Sequence, residues 1–175
     1  MTLDLEKITR GFPGITKHMG AFLLEACIVS LSRRKHSHLG THLLIHGNTE
    51  KTIQLVWEDV FDERMDRTWS DQEEATEYGA ACLGVLITME ITPYTVIQRS
   101  AKGSGVDYWL GHKGDLLMLR KACLEISGIF QGADKVDARF RAKINQVKQL
   151  GITGLPTYIC VVEFGTPLAK FGEIK

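Results

Sequence analysis

The run Thr157–Phe164, TYICVVEF, is apolar on both of its alternating faces. A strand with one side in water alternates apolar and polar residues, so this run predicts an interior strand covered above and below. The sequence upstream supplies such cover. Ser70 followed by Glu73 is a capping-box signature, with Glu73 as the capping residue. Behind it, Tyr78, Cys82, Val85 and Met89 recur at helical spacing until Thr92-Pro93. Gly79 and Gly84 inside that stretch predict close approach to a neighbouring backbone. Three strands are expected next, Tyr94–Arg99, Val106–Leu110 and about Leu117–Ile126, separated by the turn sequences SAKGSG and GHKGD. A helix from Asp134 to Leu150 follows, with Asp134 as cap and Val136, Phe140, Ile144 and Val147 facing inward.

Ahead of this unit, Ile15, Met19, Phe22, Leu23, Ala26 and Val29 mark another helix. THLLIHGNTEKTIQLVW reads as a hairpin from Thr41 to Trp57 with a Gly-Asn turn, suited to packing or partner contact. The expectation is an α/β fold: a mixed β-sheet flanked by helices, with an αβββαβ core at 70–175. Residues 1–69 add an N-terminal helix and β-hairpin to one compact domain.

Charge and cysteine usage narrow the function classes. Lys and Arg number 21, as do Asp and Glu, so no overall field draws the chain toward nucleic acid or an anionic membrane. Nucleic-acid contact then needs a local patch. Two candidates are RRKHSH at Arg33–His38 and the helix carrying Lys135, Arg139, Arg141, Lys143 and Lys148. The four cysteines lie far apart in apolar runs, without the short spacing of a zinc knuckle, and read as buried reduced thiols. The charged N-terminus does not resemble a signal peptide, and no apolar run reaches the roughly 18 residues of a membrane span. The expected location is cytoplasmic, with no membrane partner.

His36, His38, His42 and His46 cluster in sequence. His42 and His46 share a strand face but stand about 13 Å apart, too far for one metal, so ordinary hydrogen bonding is expected. Gly103-Ser104-Gly105 precedes a strand and is expected to be a turn. Tyr108 and Trp109 suit the core, with stacking on a base as the alternative.

The carboxylates Asp107 and Glu125 stand inside the strand-like runs. Lys121, Cys123, Glu125 and Ser127 share one strand face; Ala122, Leu124 and Ile126 share the other, which suits a helix-packed core. Antiparallel pairing across GHKGD brings Asp107 and Glu125 together at one end of the sheet. Two carboxylates in contact repel unless a proton or cation intervenes, and an oxygen-rich site suits Mg²⁺ or Mn²⁺. Glu77, in the preceding helix, is the candidate third ligand. Glu163 is a further buried carboxylate, placed either to join this site or to pair with a lysine.

The αβββαβ order, the acid opening the second strand and the glutamate near the end of the third resemble the PD-(D/E)XK nuclease superfamily over about Ser70 to Phe164. On that resemblance Asp107 stands at the metal-binding aspartate, Glu125 at the first residue of the E-x-K element, and Glu77 at a helix glutamate found in some members. Ser127 occupies the place of the lysine that orients or activates the attacking water. Lys121, on the face of Glu125, is the expected catalytic substitute, with Lys135, Arg139 and Lys143 of the next helix as alternatives and as candidate nucleic-acid contacts. The resemblance implies metal-assisted phosphodiester hydrolysis with Mg²⁺ or Mn²⁺, in a restriction or defence setting. A second reading is a catalytically inactive member that binds nucleic acid or a protein. A third is an assembly protein without a site, and a homodimer is compatible with each.

Overall fold

The structure is a computed structural model describing residues 1–47, 50–149 and 154–174. One mixed sheet of eight strands organises it, in the order β1-β3-β2-β8-β7-β6-β5-β4. The strands are β1 (Thr2–Asp4), β2 (His42–His46), β3 (Lys51–Val56), β4 (Tyr94–Arg99), β5 (Tyr108–His112), β6 (Ala122–Ile129), β7 (Thr157–Glu163) and β8 (Leu168–Ile174). The helices are α1 (Lys17–Arg33), the short α2 (Glu63–Thr68), α3 (Gln72–Ile91) and α4 (Val136–Gln149).

Strands β4, β5 and β6 form an antiparallel meander. Helix α4 then crosses over so that β7 runs parallel to β6. As the TYICVVEF run requires, β7 is interior, between β6 and β8. The expected hairpin forms as β2 and β3, although its Asn48 lies outside the described residues, as does Leu150 at the end of the last helix. The hairpin is no appendage: β2 pairs in parallel with β8 and extends the same sheet.

Helices α1 and α3 cover one face. Leu23, Cys27 and Leu31 of α1, Leu83 and Leu86 of α3, and Leu124, Cys160 and Ala169 of the sheet form the main core. The two glycines of α3 act as close-approach points. A Cβ on Gly79 would lie 3.0 Å from Ala26 O and Cys27 Cα of α1, and one on Gly84 would lie 2.8 Å from Ile126 of β6. Helix α4 covers the opposite face, where Val136, Phe140, Ile144 and Val147 pack on Ile159 and Val161. The N-terminal loop shields the outer edge of the sheet, with Gly14 N–H donating to Val96 O at 3.0 Å.

Several boundaries differ from expectation. Asp71, not Ser70, caps α3, accepting from Glu73 N at 2.8 Å and Glu74 N at 3.1 Å. Glu73 therefore occupies the first turn and closes no capping box; aspartate two and three residues ahead of two free N–H groups satisfies both. The second strand begins at Tyr108 rather than Val106, and the third at Ala122 rather than Leu117. Leu116–Leu119 lie in the connecting loop, where Met118 takes a φ of +47° incompatible with an extended strand. Asp134 does not cap α4; it sits in a 3-10 turn (Ala133–Lys135) entered from Gly132 without a side-chain cap. Strands β1 and β8 were not expected. No helix among the described residues is long and apolar enough to cross a membrane.

Candidate active site

The site is built by the register of β5 and β6. Tyr108 lies opposite Leu124, so one residue earlier Asp107 faces Glu125. Asp107 is tied there at both ends: its N–H donates to Leu124 O at 2.9 Å, and its Oδ2 accepts from Ile126 N at 2.7 Å. The two carboxyl groups face each other across the strand pair closely enough for each to shift the other's titration. Alternation along β6 sends Leu124 and Ile126 into the α3 core and Glu125 and Ser127 toward α4.

Helix α4 meets them with a polar stripe. Arg139, Lys143 and Gln146 follow i, i+4, i+7 spacing and share one flank, beside the apolar stripe that anchors the helix. Lys143 Nζ donates to Glu125 Oε1 at 2.6 Å, Gln146 Nε2 reaches the same oxygen at 3.5 Å, and Arg139 Nη1 donates to Ser127 Oγ at 3.1 Å. A cation from α4 therefore stands against Ser127, and another against Glu125 two residues before it.

Burial and the facing Asp107 carboxylate push the Glu125 carboxyl up to about 7, against the opposing pull of Lys143. Asp107 is open to solvent on its cleft side but crowded by protein elsewhere. Desolvation raises its carboxyl too, opposed by the Ile126 N–H and Lys143. At lower pH the pair holds a proton and Lys143 balances the remaining charge. Above about pH 7 two carboxylates face one ammonium, leaving a net negative charge.

These groups border an open cleft of about 510 Å³. One wall is the first turns of α3, with Gln72, Glu73, Thr76 and Glu77; the other carries Lys135, Arg139 and Lys143. The structure thus gathers Asp107, Glu77, Lys135, Arg139 and Lys143 on one cleft, with Glu125 held behind Lys143. Lys121 does not line it: it precedes β6, four residues from Glu125, and its N–H pairs with Leu110 O. Among the described residues no group of three or more His, Cys, Asp or Glu side chains is placed to hold a metal ion, so Glu77 stands across the cleft from the close pair.

Other candidates have structural roles. Glu163 neither joins the site nor meets a lysine; its oxygens accept from Gly132 N, Gly165 N, and Thr166 N and Oγ1 at 2.8–3.0 Å. It fixes two turns where chain folding, invisible in the sequence, supplies the donors. Arg33 is held by Asp66 at 2.7 Å and by the carbonyls of Asp66 and Trp69, while Arg34 bonds Gln131 at 3.1 Å. Two of the cations in the Arg33–His38 patch are thereby tied to the protein, while Lys35 is exposed. His36 contacts Phe164 O, His42 contacts Gly40 O, and His38 and His46 lie 3.8 and 3.7 Å from Asp59 and Glu50. Gly103 and Gly105 adopt φ of +86° and +83°, the expected turn. Tyr108 and Trp109 are buried, Trp109 beneath the Arg120 guanidinium at 4.2 Å. The residue missed as an individual was Gln146, whose only sequence signal was its place three residues after Lys143.

No protein-family model, no curated protein and no solved structure matches the chain.

Proposed function

We propose that the chain is a metal-dependent nuclease of the PD-(D/E)XK type, acting on phosphodiester bonds of nucleic acid. The observation that carries this reading is the pairing of Asp107 with Glu125 across β5 and β6, with Lys143 bonded to Glu125. The α3-β4-β5-β6-α4-β7 succession, with β6 parallel to β7, supports the restriction-endonuclease-like core.

Mg²⁺ is held by one or two carboxylates together with water and substrate phosphate, and the Asp107–Glu125 pair fits that requirement. Asp107 and Glu125 would hold the ion, which when bound supplies charge stabilisation and a more acidic water. Lys143 takes the part of the missing strand lysine, as the ammonium nearest the glutamate. Arg139 and Lys135, on the same wall, hold the phosphate backbone in place. Loss of the Glu125 proton precedes ion binding, so activity rises with pH through about 7.

The test is a cleavage panel on single- and double-stranded DNA and on RNA, with Mg²⁺ or Mn²⁺, beside Asp107→Ala and Glu125→Ala. Metal-dependent cleavage lost in both variants is expected; equal cleavage by wild type and variants would reject the reading. A second reading, an inactive member that binds nucleic acid, is favoured by one observation. Lys143 already neutralises Glu125 at 2.6 Å without an added ion. It predicts binding without turnover.

A further inference from the structure

The loop between β5 and β6 presents Leu116, Leu117, Met118 and Leu119 to solvent at 94, 75, 50 and 48% exposure. Scattered apolar residues on a surface are ordinary, but four large ones in sequence are not, unless something covers them. The loop is built to hold them out. Asp115 Oδ1 accepts from Leu117 N at 2.9 Å, and Met118 adopts a left-handed φ of +47°, an uncommon conformation for a non-glycine residue. It is also anchored from behind: the Lys113 ammonium binds the carbonyls of Met89 and Thr92 at the C-terminal end of α3.

We propose that this loop is a self-association surface, at which two copies of the chain pair about a two-fold axis. The charge pattern favours a second copy over an unrelated partner. The apolar run has Asp115 before it and Arg120-Lys121 after it. An isologous contact that aligns two such loops antiparallel sets Asp115 of one copy against the basic end of its mate. Arg120 is already engaged by Gln98 and Trp109, so Lys121 carries the contact. The apolar patch is on the order of 400 Å², about half of the roughly 800 Å² per partner of a stable interface. The flanking residues complete it, and the dimer is of micromolar strength.

Position is consistent with use. The loop adjoins the C-terminal end of α3, whereas the cleft is lined by its first turns. Along the strands Lys121 stands four residues, roughly 13 Å, from Glu125, and no residue of the loop lines the cleft, so the contact leaves the cleft uncovered. The inference is independent of the nuclease reading.

Sedimentation velocity over micromolar concentrations tests it. Wild type is expected to dimerise reversibly, the double variant Leu116→Ser/Leu117→Ser to remain monomeric with an unchanged thermal melt, and Lys121→Glu to weaken the dimer about tenfold by placing acid against acid. Met118→Cys, on the two-fold axis of that alignment, is expected to cross-link under mild oxidation, since the four native cysteines are buried. A wild type that stays monomeric, or a dimer that survives loss of both leucines, would overturn the proposal. So would a monomer that instead floats with anionic vesicles through the same leucines.

Discussion

Glu125 is held between a carboxylate and an ammonium with 5% of its side chain exposed, and its titration reports on both. Its folded pKa of about 7 lies above the ordinary 4.5. The neutral acid therefore favours the fold: that contribution is complete below about pH 4.5 and is lost as pH rises through about 7. Wild type should lose about 2 kcal/mol of stability between roughly pH 5 and 8 that Glu125→Gln retains, as measured by urea unfolding. Lys143→Met removes the charge that lowers this pKa. It should steepen the same pH dependence and reduce cleavage by about a hundredfold or more, whereas Lys121→Met should leave cleavage near wild type. The carboxylates were legible in the sequence because acids inside apolar strands stand out. The choice of Lys143 over Lys121, Lys135 and Arg139 was not, because it depends on how α4 is rotated over β6. The apolar stripe of α4 bears on that rotation only once the sheet beneath it is known.

At the scale of elements, the cleft depends on how closely α3 approaches β6. A Cβ on Gly128 would lie 2.5 Å from Thr76 O, a backbone atom that cannot step aside. Gly128→Ala should push the first turns of α3 away from β6 and cost about 2 kcal/mol in thermal or chemical unfolding. Long periodic elements were readable: α3, α4, β4 and β7 lie close to where their patterns put them. Short ones were not. Strand β1 has three residues, too few for a pattern, and in β8 only Ala169 and Phe171 are buried, with Gly172 and Glu173 breaking the alternation after them. The Leu116–Leu119 run mimicked a strand because hydrophobicity alone does not show that its backbone turns at Asp115 and Met118.

For the whole molecule, the sheet joins segments distant in sequence. The β2–β8 pairing attaches the N-terminal hairpin to the strand that follows the αβββαβ unit, and the main core draws on α1, α3 and both halves of the sheet. Sequence periodicity predicts elements but not parallel pairing between strands more than a hundred residues apart, so the hairpin looked like an addition. The charge balance of 21 against 21 likewise hid an asymmetric surface, since the basic wall of α4 faces the acidic first turns of α3 only after folding.

The most direct test of the proposed centre is Mn²⁺ binding by calorimetry at about pH 8, where Glu125 is ionised. Wild type should bind Mn²⁺, with affinity falling as pH drops through about 7, and Asp107→Asn and Glu125→Gln should each abolish binding. Unchanged binding in both variants, or none in folded wild type at pH near 8, would contradict the account.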